Sequence, residues 1–259
     1  MIAKKISQPA LLAALTLIGT LPSLASAQSG DTDLWEFTGK AFDINNDDVL
    51  LYEEHHQVEG QCINNIWQPM SHQVDYFKQG EDSAFASKTL SYTESPLRPS
   101  LDFRQPEFDE RMVIANQEDR QLQITWDTNK GDTKTFTTPV DQNVVGDAGF
   151  DNFVRRNWPK IQDDQAIDFR FLAPTRGEHY AFVLEQTSDS RISGDVVLEI
   201  RPSGFVTRFL VDPIILGYST EGALTDYVGL TNIRENEERN YTAHIQYQTE
   251  TAVSCNLTP

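Results

Sequence analysis

The first residues that could do chemistry have the spacing of a calcium loop. Asp43, Asn45, Asp47, the carbonyl of Val49 and Glu54 match positions 1, 3, 5, 7 and 12 of an EF-hand-like pattern. Aspartate replaces the glycine expected at position 6, and the flanking residues are typical of strands rather than helices. We therefore expect a polar hairpin tip, and calcium binding is the alternative interpretation.

A second candidate is the run Glu53-Glu54-His55-His56. On a strand, each face would carry one carboxylate and one imidazole, which could begin a zinc site or form an acid/base pair. Zinc needs three or four ligands, and the other three histidines are scattered along the chain. The pattern therefore favours a solvated strand face.

The arginines are informative because positive charge is scarce: 21 Lys and Arg stand against 39 Asp and Glu. Arg155 and Arg156 lie in an aromatic segment, and Arg170, Arg176 and Arg208 lie on or beside nearby apolar runs. A small basic group beside an apolar hollow could orient the carboxylate or phosphate of a ligand. Ion pairs within the protein are the alternative role. No G-x-S-x-G nucleophile elbow occurs in the sequence.

Most segments after Asp33 alternate apolar and polar residues with a period of two, which predicts half-buried antiparallel strands. Examples are residues 122–126, 167–171 and 241–247, and short turn sequences separate the runs. Residues 92–106 contain three prolines and are expected to form an extended or edge connection.

One helix is predicted between residues 146 and 159, where Phe150, Phe153, Val154 and Trp158 recur at helical spacing. An N-cap is expected at residue 147 and a stop at Pro159. The predicted fold is mainly β: a strongly curved antiparallel meander, an open or half barrel, with this amphipathic helix on its concave side.

The hollow between helix and sheet is the predicted ligand site, although the residue types favour a core role for its aromatic side chains over a place in the cavity lining. The residues expected to bind the ligand lie on the helix and the strands after it: Phe150, Phe153, Arg155, Arg156, Trp158, Phe169, Arg170, Phe171, Tyr180 and Phe182. The sequence nominates no catalytic residue, no metal ligand and no cofactor.

The composition excludes several classes of protein. A net charge of −18 argues against nucleic-acid binding. Residues 1–27 begin with two lysines, continue through an apolar run and end in Ala-Ser-Ala, as in a cleaved signal peptide. We therefore expect a single acidic β-rich domain over residues 28–259, with no transmembrane segment after signal removal.

Cys62 and Cys255 are the two cysteines of the chain. An exported protein with an even cysteine count and no metal-type spacing most simply forms one disulfide, so we expect these two to be joined. Two free thiols are the alternative. The expected signal peptide and the expected disulfide both indicate a periplasmic protein, with secretion as the alternative destination.

Four segments carry a resemblance. The strings GKAFD (39–43), LLYEEHH (50–56), DAGFDNFVRRNW (147–158) and GLTNI (229–233) resemble a family of uncharacterised exported proteobacterial proteins. More distantly, a strand meander around one helix resembles periplasmic half-barrels of the lipoprotein-localisation-factor type. The latter resemblance implies acyl-chain carriage in a concave apolar sheet.

The sequence thus favours a non-enzymatic periplasmic protein that binds a lipid, an acyl chain or another amphiphile in the hollow of a curved sheet. One alternative is an exported hydrolase acting on an envelope or extracellular polymer. Another is a structural or assembly module of the cell envelope. The expected partner is a hydrophobic or amphiphilic small molecule, and protein partners are unknown.

Overall fold

A computed structural model describes residues 32–203 and 212–259 of the chain. The predicted signal peptide and Arg208 lie outside the described residues. Fifteen strands form one curved sheet, with these bounds: β1 (Asp33–Asp43), β2 (Asn46–Ile63), β3 (Ile66–Phe77), β4 (Ala86–Ser91), β5 (Ser100–Gln105), β6 (Glu110–Gln117), β7 (Gln121–Asp127), β8 (Thr133–Pro139), β9 (Val144–Val145), β10 (Ile167–Ala173), β11 (Glu178–Gln186), β12 (Val196–Pro202), β13 (Ile214–Tyr218), β14 (Leu224–Arg234) and β15 (Asn240–Thr251).

The strand order is β8-β7-β6-β5-β4-β3-β2-β1-β15-β14-β13-β12-β11-β10-β9. Neighbours in the sheet are therefore neighbours in sequence, except where β1 pairs antiparallel with β15. The short β9 is parallel to β10, whereas the other pairs are antiparallel. The curved, open meander with a helix on its inner side confirms the predicted fold class.

The alternation seen in the sequence decides which side chains fill the inside of the sheet. On β7, Leu122 and Ile124 are buried while Gln123 between them is exposed. Neighbouring strands align their apolar faces in the same way, because a shift of one residue would turn these side chains to solvent. The result is a continuous apolar lining on the concave face.

The helical segment covers that concave face but is broken in two. A 3-10 turn (Asp147–Gly149) leads into α1 (Phe150–Arg156), and α2 (Trp158–Gln162) follows after Asn157. Phe150, Phe153 and Val154 are buried, as the spacing predicts. Burying each such side chain contributes about 1.5–3 kcal/mol, so packing rather than intrinsic helix stability holds this short element.

The two predicted helix ends are wrong. Gly149 is the N-cap of α1 and Asp147 lies in the preceding turn, where its carboxylate accepts a hydrogen bond from Asn232 at 2.7 Å. Pro159 occupies the first turn of α2 instead of ending the helix. A proline is tolerated there because the first helical N–H groups have no partner within the helix.

The proline-rich stretch 92–106 also differs from its prediction, because it contains the paired strand β5. This strand lies between β4 and β6 and is not an edge. Pro99 precedes its first residue and Pro106 follows its last, so neither proline interrupts the ladder.

The predicted disulfide between Cys62 and Cys255 is present, with a Cα–Cα distance of 5.9 Å. It attaches the C-terminal segment to the end of β2. Next to the bridge, the backbone N–H of Trp67 donates to the carbonyl of Asn256 at 2.8 Å. Val253 and Leu257 pack on a small aromatic cluster of Trp35, Phe37, Val58 and Trp67.

Candidate functional site

A cavity of about 170 Å³, partly open to solvent, lies between α1 and the concave face of the sheet. Its walls come from β1–β4, from the turn and helix of residues 147–155, and from β10 and β12–β15. Aromatic and aliphatic side chains make up most of the lining, including Trp35, Phe37, Leu90, Phe150 and Ile245. The sheet's curvature thus leaves a hollow that the helix does not fill.

The cavity also has a polar region, where five side chains form a continuous hydrogen-bonded series. Tyr247 donates to Glu54 Oε2 at 3.0 Å, and the same oxygen lies 3.0 Å from His56 Nε2. His56 Nδ1 lies 3.0 Å from His72 Nε2, and His72 Nδ1 lies 3.4 Å from the hydroxyl of Tyr92. We refer to these five residues as the Glu54–Tyr92 network.

The expected solvated strand face is wrong for Glu54 and His56, whose side chains are 8% and 10% exposed. Glu53 and His55, on the opposite face of β2, are more exposed, at 33% and 51%. Pairing of β2 with β3 brings His72 to His56, although the two histidines are 16 residues apart. The histidines are therefore less scattered than their sequence positions indicate.

His72 is held in its neutral form by its surroundings. Burial lowers the pKa of this imidazole well below its usual value, and the nearby positive charges of Lys88 and Arg155 lower it further, as does His56. The part of its surface that remains accessible lines the cavity. Burial also raises the pKa of the Tyr92 hydroxyl, so the network includes two groups that stay uncharged at neutral pH.

Arg155 is the arginine that reaches the cavity. Its side chain is 8% exposed, and its guanidinium carbon lies 4.9 Å from the ring centroid of Trp35. The Nε–H group donates to the carbonyl of Gly222 at 2.9 Å, while Nη2 lies 3.6 Å from Asp151 Oδ2, beyond hydrogen-bonding distance. This buried cation is positioned by stacking on Trp35, by one hydrogen bond and by its ion pair with Asp151.

Of the residues predicted to bind a ligand, Phe150, Arg155 and Phe171 line the cavity. Four others lie behind this lining in the apolar cluster that packs α1 and α2 against the sheet: Phe153, Trp158, Phe169 and Phe182. Their contacts are close, as shown by the 4.9 Å between the ring centroids of Phe153 and Phe169.

The remaining three predicted residues lie away from the cavity. Arg156 is exposed on α1. Arg170 points to the opposite face of β10 from Phe169 and Phe171 and donates to the carbonyl of His179 at 2.7 Å. Tyr180 donates to the carboxylate of Glu178 at 2.6 Å.

A second cavity, of about 140 Å³, lies further along the concave face. It is lined mainly by β5–β7 and by residues near Leu172 and Arg234. The two cavities share four lining residues, Lys88, Asp147, Ala148 and Asn232. One layer of side chains therefore separates the two spaces.

The calcium-like spacing does not produce a cluster of ligands. Asp43 pairs with Asn46 at the tip of the β1–β2 hairpin, whereas Glu54 pairs with Gly39 inside the sheet and faces the cavity. Across residues 32–203 and 212–259, no three His, Cys, Asp or Glu side chains are arranged to hold a metal ion.

The outer face of the sheet is also buried at β14 and β15, because a polar cluster forms there under the connection between β11 and β12. Asp226 Oδ1 lies 3.0 Å from His244 Nε2, and Ser193 donates to Asp226 Oδ2 at 3.0 Å. Ser193 belongs to the connection between β11 and β12, which this cluster holds against the outer face. Because Asp226 lies between His244 and Ser193, the histidine does not contact the serine as a catalytic base would.

The fold and the cavity together define an open, curved antiparallel sheet that encloses a mixed apolar and polar space. No protein-family model and no curated protein matches the chain, so the resemblance to exported proteobacterial proteins stays a prediction. A crystal structure described as a "putative outer membrane lipoprotein-sorting protein domain" from Vibrio parahaemolyticus is similar over 87% of each chain, with 9% identity and a TM-score of 0.23. A likeness this weak carries no functional argument. In the described part of the chain, every helix is too short or too polar to cross a bilayer.

Proposed function

We propose that this protein is a non-enzymatic binding protein for a lipid, an acyl chain or another amphiphile, which it holds between α1 and the concave face of the sheet. The observation that carries the proposal is the space left between helix and sheet. A concave space of about 170 Å³, mostly apolar and with a few convergent polar groups, is the kind of site in which proteins bind small ligands.

The chemistry of the lining supports an amphiphile over a purely polar ligand. Most of the lining is aromatic or aliphatic, and each CH₂ group buried there would contribute about 0.8 kcal/mol to binding. The Glu54–Tyr92 network and Arg155 supply a few convergent polar groups, as is usual where a ligand is bound in one orientation. Phe150 and Phe171 would contact the chain and Arg155 the polar head.

We propose that the protein is periplasmic, for two reasons that do not depend on each other. Residues 1–27 have the pattern of a cleaved signal peptide. The disulfide between Cys62 and Cys255 is of the kind that persists in oxidising compartments.

Native mass spectrometry of the protein purified from its own cell envelope tests the proposal. We expect a co-purifying amphiphile that organic solvent extracts. The variant Val58→Phe fills part of the cavity and should carry much less of it, whereas Val49→Phe, on the exposed tip of the same strand, should carry the parental amount. Protein without bound amphiphile that also fails to take up fatty acids in vitro would overturn the proposal.

The hydrolase alternative is favoured by one observation, the contact of Glu54 with His56 at 3.0 Å. A carboxylate that orients an imidazole is a common acid/base arrangement. Because the other ring nitrogen of His56 lies 3.0 Å from His72, such a pair would act on a substrate through His72. Because the pair lies inside the cavity, its substrate would be a small ester. Turnover of short-chain chromogenic esters that is abolished in Glu54→Gln would support an enzyme over a carrier.

A further inference from the structure

Three buried polar atoms around the cavity have no hydrogen-bond partner among the described residues: Nη2 of Arg155, Nε1 of Trp67 and the hydroxyl of Tyr52. Each is able to donate a hydrogen bond. A buried donor without a partner costs about 1–3 kcal/mol, and more when the group is charged. Such atoms are rare, and their concentration around one space points to a missing acceptor there.

Arg155 is the most informative of the three because its guanidinium is fixed on two sides. Trp35 stacks on it, and the carbonyl of Gly222 accepts from Nε. These contacts orient the planar group and leave Nη2 without an acceptor. A planar guanidinium held in this way suits the oxygens of a carboxylate or phosphate.

We propose that the amphiphile carries an anionic oxygen group, a carboxylate or a phosphate, that accepts a hydrogen bond from Nη2 of Arg155 at the Trp35 end of the cavity. This inference rests on the proposed function and names the chemical class of its ligand. Trp67, which belongs to the same aromatic cluster as Trp35, supplies a second donor through Nε1.

The carboxylates around the cavity do not take the place of this ligand, because none accepts a hydrogen bond from Nη2: even Asp151 Oδ2, the ion-pair partner of Arg155, lies 3.6 Å away. Each carboxylate accepts its hydrogen bond from another side chain: Glu54 from Tyr247, Asp147 from Asn232 and Asp151 from Tyr218. Lys88 adds a second buried cation, with Nζ 3.5 Å from Asp147 and a side chain 11% exposed. The lining thus carries three carboxylates and two cations, and Nη2 of Arg155 is the donor left without an acceptor for an anionic head group.

The test compares three probes with the same ten-carbon chain: decanoate, decyl phosphate and decanol. Binding to the disulfide-intact protein is measured by titration calorimetry below the micelle-forming concentration of each probe. We expect at least one of the anions to bind roughly 10- to 100-fold more tightly than decanol, the range for a hydrogen bond to a charged group. The comparison of the two anions decides which head group the site prefers.

Two variants assign the preference to a residue. In Arg155→Met, anion binding should fall roughly 10- to 100-fold while decanol binding changes little. Arg156→Met removes the exposed neighbouring arginine and should bind all three probes as the parent does.

The outcomes separate this inference from the proposed function. If decanol binds as tightly as both anions, the acceptor for Nη2 is a water molecule. The inference of an anionic head group would then be wrong, while the proposal of amphiphile binding would stand. If none of the probes nor longer fatty acids bind, both proposals are wrong. The comparison in the parent protein needs no variant, so a folding defect in Arg155→Met would not prevent a decision.

Discussion

Mild acidification should destabilise the protein through His72, and replacement of this residue should remove the effect. The buried imidazole has a lowered pKa in the native state, next to Lys88, Arg155 and His56 and in contact with Tyr92. In the unfolded chain it titrates near the ordinary value of about 6.5. Below about pH 6.5 the unfolded state therefore binds a proton that the native state does not, and the free energy of unfolding falls as the pH falls.

The size of the effect follows from linkage. One proton bound only by the unfolded state changes the free energy of unfolding by at most about 1.4 kcal/mol per pH unit. Between pH 6.5 and 4.5 His72 can therefore contribute a loss of up to about 2.3 kcal/mol, because its unfolded form is already half protonated at pH 6.5. Ion-paired carboxylates such as Asp189, whose pKa Arg191 lowers to about 2, act at lower pH, because their stabilisation is lost only below about pH 4.

Urea unfolding at half-unit steps from pH 7.5 to 4.5 measures the effect. His72→Gln keeps polar atoms near Tyr92 and His56 but cannot titrate, so its free energy of unfolding should decline less steeply than that of the parent. His55→Gln, on the exposed face of β2, should keep the parental slope. Parallel curves for the parent and His72→Gln over this window would refute the assignment to His72.

Two further changes test the framework of the site. In the double variant Cys62→Ser, Cys255→Ser, the free energy of unfolding measured in urea should fall by up to about 5 kcal/mol. The reason is that the bridge joins residues 193 positions apart and restricts the unfolded chain. An unchanged urea midpoint would contradict this. Gly149→Ala should lower the melting temperature in calorimetry by several degrees, since its Cβ would overlap the carbonyl oxygen of Leu97. Gly146→Ala, whose Cβ would lie 3.8 Å from that oxygen, should be nearly neutral.

The strands were predictable because their side chains alternate between a solvent-exposed face and a buried face. The alternation in 122–126 and 167–171 persists in β7 and β10, and the meander follows from short turns between such runs. The helix was predictable from its apolar spacing, but its interruption at Asn157 was not. At that break Pro159 has no N–H to donate to the carbonyl of Arg155, so the hydrogen-bond ladder of α1 does not continue into α2.

The polar part of the site was harder to predict because it depends on register. His56 pairs with Val74, and His72 lies diagonally across the β2–β3 ladder. A slip of one residue would have placed His72 on the other face, and the sequence does not specify the register locally. Similarly, Arg155 and Arg156 are adjacent at the border of the apolar stripe, and only the docking of α1 on Trp35 buries one and exposes the other.

The strand order divides the chain into two consecutive meanders that meet where β1 pairs with β15. The first, β1–β8, carries Glu54, His56 and His72, and the second, β9–β15 with α1, carries Arg155. Two separately produced fragments, divided in the link at residues 140–143, could regenerate the cavity only by joining along β1 and β15. Amphiphile binding by the mixed fragments would then report their association, as in a split-protein sensor, and the disulfide between Cys62 and Cys255 would make that association covalent.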